Sequence, residues 1–253
     1  MSKVLVTRSK LDALVNAYNT LTGESDTLTL DQLATAISEI ETGGGDPGEE
    51  LKMVLENNTT YDLSSDATQI REYSFQSSKI RNASFPNAVK IGSTAFRDCV
   101  SLLTATFPSV TEIGSYEFRG CINATSIYAP NATIIGTQAF YQCSNLTSVT
   151  LGAFTQIESY VFYGTTRLTS LELRGNITSI ASAAFSNSGI KTLIFRNSTS
   201  VPTLQNVNAF NSTPIASGTG YIYVPDALVD TWKAATNWST YAAQIKPLSE
   251  LPE

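Results

Sequence analysis

Hydrophobic residues recur along this chain in a pattern that repeats about every 22 residues. An isoleucine precedes a phenylalanine by five positions six times, from the pair Ile70 and Phe75 to the pair Ile180 and Phe185. Each phenylalanine is followed by a run that alternates apolar and polar residues, as in SLLTATF and NLTSVTL. Alternation with a period of two predicts a strand with one buried face. The pattern therefore predicts one strand and one turn in every repeat.

One repeat of this size cannot enclose a core, because its apolar residues would stay open above and below. Stacking the repeats buries each isoleucine, phenylalanine and leucine against its counterpart and pairs the strands in parallel. We therefore expect residues 70–218 to form a β-rich solenoid with about seven coils, parallel strands and few helices.

The motif I-G-x-x-A-F-x-x-C-x-x-L-x-x-x-x-F-P, as it stands in residues 91–108, resembles the BspA-like leucine-rich repeat, also called the Treponema pallidum-type repeat. The resemblance covers residues 70–250 and implies a solenoid of leucine-rich repeats. It implies no catalytic residues. In that family the repeats occur in surface adhesins, in proteins that contact host cells and in tail-associated proteins of phages and prophages.

The two ends of the repeat array need different sequences, because a terminal coil leaves one apolar edge uncovered. Residues 219–253 resemble the ending often found on such arrays, with a Tyr-Val-Pro strand before a helix around 227–236. We expect this segment to form a C-terminal cap. Residues 51–69 are expected to form the N-terminal cap.

The N-terminal segment shows helical spacing instead. Residues 1–42 predict two short helices, the first ended by Gly23 and the second opened by Thr29 and Gln32 in capping-box positions. Two such helices do not fold alone, so they need copies of themselves, the following domain or another protein as a partner. We expect an attachment or oligomerisation module, with a trimer as one option, and a flexible linker at 43–50. The apolar positions of the two helices are Leu11, Leu14, Tyr18, Leu21, Leu33, Ile37 and Ile40.

Composition and charge argue against several functions. The net charge of −6 and the lack of a basic cluster argue against nucleic-acid binding. The chain has no histidine, which removes the commonest general base and metal ligand. No apolar run approaches the roughly 18 residues of a membrane-spanning helix, and the apolar stretch at the start is too short for a signal peptide. We therefore expect a protein that is not an enzyme, uses no cofactor, does not insert into a membrane and carries no signal peptide.

The three cysteines, Cys99, Cys121 and Cys143, each follow a repeated phenylalanine by three positions. A metal or redox site would need thiolates that converge on one point, whereas stacked repeats hold equivalent residues at a fixed spacing. The pattern therefore favours buried thiols that act as small apolar side chains.

Serine and threonine dominate the polar positions of the repeated strands. Two side chains per strand are expected to point outward, which predicts a nearly uncharged face of hydroxyls with Tyr128 near its middle. Such a face suits a sugar or a polar protein surface, although serine and threonine also simply tolerate exposed strands. The residues of this candidate face, the hydroxyl face, are Thr104, Thr106, Ser126, Tyr128, Ser148, Thr150, Ser170 and Glu172. The same alternation places Asn82, Ser84, Thr192 and Ile194 outward.

A second candidate face lies on the turns around the repeated phenylalanines. Tyrosine and arginine are enriched at interaction hot spots, although a tyrosine can also be half buried between coils. The residues of this second face are Arg97, Tyr116, Arg119, Gln138, Tyr141 and Tyr160.

The resemblance and the short helical segment together favour a phage tail or baseplate component that recognises a host surface through its solenoid. The helical segment would bind other virion tail proteins or copies of the chain, and the repeats would bind a host cell-surface glycan or protein. The expected location is the virion, outside the cell when the protein functions. The alternatives are a bacterial surface adhesin and an intracellular protein-binding module.

Overall fold

The structure is a computed structural model that describes residues 4–5, 61–64, 68–70 and 72–252. The two predicted helices with their apolar positions, and the linker, lie outside the described residues. So does most of the predicted N-terminal cap.

Most of the described chain consists of short strands, and a strand of three to five residues alternates with one of two residues along the repeats. The strands are, in chain order, β1 (Val4–Leu5), β2 (Tyr61–Ser64), β3 (Gln69–Ile70), β4 (Ile80–Ser84), β5 (Lys90–Ile91), β6 (Thr104–Thr106), β7 (Glu112–Ile113), β8 (Ser126–Ala129), β9 (Ile134–Ile135), β10 (Ser148–Leu151), β11 (Gln156–Ile157), β12 (Ser170–Leu173), β13 (Ser179–Ile180), β14 (Thr192–Phe195), β15 (Thr203–Leu204), β16 (Tyr221–Val224) and β17 (Ile245–Pro247). The helical pieces are an α-helix, α1 (Val229–Ala234), and 3-10 turns at Val207–Phe210, Asp226–Leu228, Trp238–Gln244 and Leu248–Glu250.

The longer strands pair in parallel into one sheet, which the two-residue strand β1 also joins, and the other two-residue strands pair into a second. The first sheet runs in the order β1-β2-β4-β6-β8-β10, and the second runs in the order β3-β5-β7-β9. Equivalent residues of successive repeats face each other, as Thr104 faces Ser126 and Ser126 faces Ser148. Further along the chain the ladders continue as β12-β14-β16-β17 and β11-β13-β15. This arrangement confirms the predicted β-rich repeat solenoid with parallel strands and few helices.

The core consists of columns of equivalent side chains. Isoleucines, leucines and cysteines from successive repeats are buried in the same interior. Burying one large apolar side chain contributes about 1.5–3 kcal/mol, so stacking explains why the apolar offsets in the sequence are fixed. The main column stacks ring on ring with centroids 5.1–5.8 Å apart and contains Phe75, Phe96, Phe118, Phe140, Phe162, Phe185 and Phe210.

The turn around each of these phenylalanines, from Phe75 to Phe185, uses left-handed backbone at two positions. One lies two residues before the phenylalanine and the other two residues after it, as Tyr116 (φ 62°) and Gly120 (φ 75°) do around Phe118. Turn amides donate to carbonyl oxygens of the next coil. The repeat therefore imposes this backbone whatever the residue type.

Both sheets are interrupted at the same step of the solenoid. Among the described residues, no ladder joins β10 to β12 or β9 to β11. At this step Glu158 occupies the position that Gly136 holds one coil earlier. A Cβ atom at Gly136 would lie 2.5 Å from the backbone nitrogen of Ser115, so the two coils that meet at Gly136 leave no room for a side chain there. Phe154, which stands where Ala132 stands in the preceding coil, adds further bulk at this step.

The last coil is covered by aromatic side chains from the region of α1. Trp232 and Trp238 are fully buried, with ring centroids 5.0 and 6.1 Å from that of Phe195. The indole N–H of Trp238 donates to the carbonyl oxygen of Pro202 at 2.7 Å. These contacts close the apolar end of the solenoid. Within the part of the chain that the structure describes, no helix has the length and apolarity needed to cross a membrane.

Candidate functional site

The structure divides the residues of the hydroxyl face between two ladders. Six of them lie in register on β6, β8 and β10, in the rows Thr104–Ser126–Ser148 and Thr106–Tyr128–Thr150. The other two, Ser170 and Glu172, lie beyond the break on β12, where they face Thr192 and Ile194 of β14. Sequence spacing alone did not indicate this division.

The hydroxyl groups of this face differ from those elsewhere on the solenoid in having few partners. Thr125 and Thr147 lie one position before the outward residues and donate to backbone carbonyl oxygens of the preceding coil at 3.0 and 3.1 Å. Thr104 donates to the Asn82 side chain at 2.7 Å. The other hydroxyl groups of the face form no hydrogen bond with any described residue. They belong to Thr106, Ser126, Tyr128, Ser148, Thr150 and Ser170.

At the C-terminal end of this face the hydroxyl groups give way first to an ion pair and then to an apolar residue. Glu172 accepts hydrogen bonds from the Arg196 guanidinium at 3.1 and 3.3 Å. The expectation that Ile194 points into solvent is wrong, because Ile194 is only 8% exposed. It pairs in register with Tyr223, which is also buried. The polar surface therefore ends at β12.

The second predicted face forms a compact cluster at its centre. The guanidinium of Arg119 lies 4.9 Å from the ring centroid of Tyr141 and 5.8 Å from that of Tyr116. The same guanidinium donates to the side-chain oxygen of Gln138 at 2.9 Å. Arg97 makes a different contact, since it pairs with its neighbour Asp98 at 3.1 Å.

A tyrosine that was not predicted completes the cluster. The ring of Tyr163 stacks on Tyr141 with centroids 4.8 Å apart and planes 6° from parallel, and Tyr160 packs on the edges of both rings. The sequence contained the signal, because Tyr163 follows Phe162 as Tyr141 follows Phe140. We call the set Tyr116, Arg119, Gln138, Tyr141, Tyr160 and Tyr163 the tyrosine–arginine ladder.

The ladder presents ring edges and phenol groups to solvent. Arg119 lies over one side of Tyr141 and Tyr163 covers the other, so the ring faces of Tyr141 are occupied. Phenol hydroxyls both donate and accept hydrogen bonds, and the guanidinium adds a positive charge. This arrangement suits a polar surface rich in hydrogen-bond acceptors.

The cysteines are buried in a column, as the spacing indicated. The thiols of Cys99, Cys121 and Cys143 donate to the carbonyl oxygens of residues 75, 96 and 118 at 2.9, 3.0 and 3.0 Å. Burial raises the pKa of Cys121 well above its usual value and that of Cys143 to about 12. Across the described residues, no cluster of histidine, cysteine and acidic side chains could hold a metal ion.

Glu117 is a buried carboxyl group that sequence reasoning missed. It stands before Phe118, where the neighbouring coils have Ala95 and Ala139, and both of its carboxyl oxygens lack a hydrogen-bond partner among the described residues. Burial raises its pKa well above 4.5. Interactions with the backbone amides of residues 95 and 96 lower the pKa and partly offset the effect of burial. Both amides already donate to backbone carbonyl oxygens, so the effect of burial dominates.

Two solved structures show limited similarity to this chain. A leucine rich cell surface protein from Faecalibacterium prausnitzii A2-165 is 18% identical with a TM-score of 0.43, and the match covers 73% of this chain and 60% of that one. A leucine-rich repeat protein from Bacteroides ovatus ATCC 8483 is 21% identical with a TM-score of 0.37, covering 66% and 54% of the two chains. The chain thus spans less than two thirds of the length of either protein. No curated protein matches it.

The repeat motif itself gives the decisive comparison. The family model of the BspA type leucine rich repeat region matches in six copies over residues 54–113 and 89–216. The matched region includes the strands from β2 to β15 and the tyrosine–arginine ladder. Because it extends over more than half of the chain, the protein belongs to the BspA type leucine-rich repeat family.

Proposed function

We propose that this chain is a non-enzymatic recognition protein that binds a polar ligand on a cell surface through the tyrosine–arginine ladder. The observation that carries the proposal is the placement of tyrosine at the first left-handed position of the turn, at Tyr116 and Tyr160 of the ladder and at Tyr73 outside it (φ 60–62°). Left-handed backbone costs about 1–2 kcal/mol for a residue other than glycine.

The fold does not require tyrosine at this position. Thr94 and Ala183 adopt the same backbone in other coils, and glycine takes the second left-handed position at Gly120 and Gly164. Tyr73 and Tyr160 are 54% and 39% exposed, so neither ring is needed to fill the core. Large exposed side chains at a backbone position that disfavours them are best explained by a binding role.

The chemistry of the ladder favours a ligand with many hydrogen-bond acceptors. Its phenol groups and the Arg119 guanidinium are held by ring stacking, so little side-chain entropy remains to be lost on binding. A cell-surface glycan and a polar protein surface both satisfy this description, and treatment of the cells distinguishes them.

The binding test uses the full chain, fluorescently labelled, on a panel of bacterial strains and cultured epithelial cells, measured by flow cytometry. We expect the Arg119→Ala and Tyr141→Ala variants to bind at least tenfold more weakly, since hot-spot truncations cost about 2 kcal/mol or more. Lys191→Ala, an exposed change far along the chain, is the matched control. Periodate treatment of the cells would abolish binding to a glycan, and protease treatment would abolish binding to a protein. Equal binding by the ladder variants and the control would contradict the proposal.

The setting in which the chain acts is a separate proposal. A phage tail or baseplate component is supported by the resemblance and by the predicted helical segment at residues 1–42, and a bacterial surface adhesin is the alternative. Mass spectrometry of purified phage particles tests the first setting, since a tail component is present in every particle. Detection on intact bacterial cells by surface labelling, with no signal in particles, would favour the adhesin.

Self-association through residues 1–42 would strengthen weak contacts by avidity. Light scattering compares the mass of the full wild-type chain in solution with the masses of the variants Leu14→Asp and Ile37→Asp. Each variant places a charge on the apolar face of one predicted helix. We expect an oligomer, with a trimer as one option, that dissociates in both variants. If the wild-type chain is monomeric, self-association is ruled out. Binding to another virion protein would then be the proposed role of this segment.

A further inference from the structure

The break between β10 and β12 leaves an open gap between the two strands. The Cα atoms of the two strands lie mostly more than 8 Å apart, whereas paired strands lie about 4.8 Å apart. The gap is a cleft of about 140 Å³ lined by residues of both strands and by Arg174. On the side of the turns the same two coils remain in contact, since Phe140 and Phe162 stack at 5.4 Å and Phe140 N donates to Val161 O at 3.0 Å. The coils therefore separate as a wedge that opens at the first sheet.

Backbone amides and carbonyl oxygens that form hydrogen bonds between coils elsewhere do not form them across this gap within the described part of the chain. The carbonyl oxygen of Thr125 accepts from the amides of Thr147 and Ser148 at 3.0 and 3.2 Å. The equivalent bonds from Thr169 and Ser170 to the carbonyl oxygen of Thr147 do not form in the described residues. Backbone amides and carbonyls away from water need partners, so the two facing edges are a template for an added strand.

The floor of the gap is apolar. Val149 of β10 is partly exposed, although its counterparts Ile127 and Leu193 are 0% exposed. Leu171 faces the same gap from β12. An extended ligand that fills the gap would therefore bury an aliphatic side chain between Val149 and Leu171.

The rim of the gap is polar and ends in a positive charge. Ser148 and Thr150 lie on one side, and Ser170 and Glu172 lie on the other. The guanidinium of Arg174, at the carboxyl end of β12, pairs with no described acidic residue, whereas Glu172 already pairs with Arg196. A strand that runs parallel to β10 and β12 would bring its own carboxyl end close to Arg174.

We propose that this gap binds an extended peptide segment from a partner protein, which inserts as a parallel strand between β10 and β12. The inserted segment alternates serine or threonine, facing solvent, with small aliphatic residues facing the core, and it ends in an acidic residue beside Arg174. Main-chain hydrogen bonds to both edges provide the affinity, and the alternate side chains provide the selectivity. The gap is distinct from the tyrosine–arginine ladder, so this inference does not depend on the proposed function.

The probe is the peptide acetyl-TSVTLE-amide, which has the required alternation and a terminal glutamate. Binding to the full chain is measured by isothermal titration calorimetry, and hydrogen exchange of the β12 amides is followed by mass spectrometry. We expect saturable binding and at least tenfold slower exchange in β12. The same peptide with N-methyl groups on alternate amides cannot pair and should bind at least tenfold more weakly. A peptide that ends in lysine, and the variant Arg174→Ala, should each weaken binding severalfold.

A closing variant provides the strictest control. The double substitution Phe154→Ala and Glu158→Gly restores the residue types of the preceding coil, so β10 and β12 should pair and peptide binding should disappear. Tyr73→Ala lies three coils before Phe140 in the stacked column, so it leaves the gap intact and should bind the peptide like the wild type.

Three results would overturn the inference. The β12 amides could exchange without peptide as slowly as those of β8, which would show that the gap is closed in solution. The peptide could fail to bind, or the N-methylated peptide could bind equally well. All three measurements need only the wild-type chain, so they decide the matter even if the double variant does not fold.

Discussion

The ring of Phe140 lies over the ring of Phe118 with centroids 5.8 Å apart and planes 2° from parallel. On its other side the ring of Phe162 lies at 5.4 Å. Each phenylalanine of the column thus has its counterparts in the two neighbouring coils as partners. Stability in such an array comes from contacts between adjacent coils, so a change in one ring affects two interfaces.

Phe140→Ala should lower the free energy of unfolding by about 3–5 kcal/mol, because the side chain is fully buried and leaves a cavity between three coils. Urea denaturation followed by circular dichroism measures this loss. The exposed Ser148→Ala change should stay within about 0.5 kcal/mol of the wild type. A loss below about 1 kcal/mol for Phe140→Ala would show that the column does not hold the coils together.

Glu117 should make the solenoid less stable as the pH rises. Burial raises its pKa in the folded chain above the unfolded value near 4.5, so the folded state holds the proton more tightly. The contribution of this group to stability is fully present below pH 4.5 and is lost as the pH rises through the folded pKa. This direction is opposite to that of ordinary acid denaturation.

Glu117→Ala, which restores the residue type of the neighbouring coils, should remove this pH dependence. At pH 8 the variant should be more stable than the wild type by about 1–3 kcal/mol, the usual cost of a buried polar group without partners. Urea denaturation of both chains at pH 5 and pH 8 measures the effect, and Glu117→Gln separates charge from burial. The prediction fails if wild type and variant lose equal stability between the two pH values.

The cysteines should be unreactive in the folded chain because all three are buried. This includes Cys99, although there the effect of burial is outweighed by hydrogen bonds with Cys121 and Ser78 that lower its pKa. With a pKa of about 12 for Cys143, only about one thiol in ten thousand is ionised at pH 8. Ellman's reagent should therefore detect no fast-reacting thiol in the native protein and all three thiols in 6 M guanidinium chloride. Rapid labelling of Cys121 or Cys143 in the native state would show that the column opens.

Gln142→Gly should stabilise the protein. Gln142 is exposed and has left-handed backbone (φ 57°), whereas glycine takes the same position one coil earlier and one coil later, at Gly120 and Gly164. Relief of the left-handed backbone is worth about 1 kcal/mol, and a thermal melt measures the change. Gln142→Ala, which keeps a Cβ atom, should give no such gain. A lower melting temperature for the glycine variant would contradict this account of the turn.

The regular part of the fold was predictable because it depends on periodicity. The alternating runs became strands, and residues 22 positions apart, such as Thr104 and Ser126, pair in register. The central residues of the second face also come together, because Arg119 and Tyr141 occupy the same position of adjacent coils.

The features that escaped prediction depend on single residues within the repeat. The break coincides with Glu158, which replaces a glycine of the preceding coil but keeps the usual spacing, so it was not visible as a change of period. Glu117 replaces an alanine, and only the structure shows that no described group pairs with it. Ile194 fits the outward alternation, yet the neighbouring strand β16 covers it.

The stacked column has a further consequence for how such proteins change length. Because each coil meets its neighbours through the same contacts, a whole repeat such as residues 119–140 could be duplicated or removed while every remaining ring keeps a partner. Each added repeat would move the two ends apart by about 4.8 Å, the distance between paired strands. A coil also absorbs a change of one residue in its own length, because Phe75 and Phe96 stack although they are 21 residues apart, and Phe162 and Phe185 stack although they are 23 apart. The repeat therefore lets reach be adjusted in fixed increments while the binding chemistry of each coil stays in place.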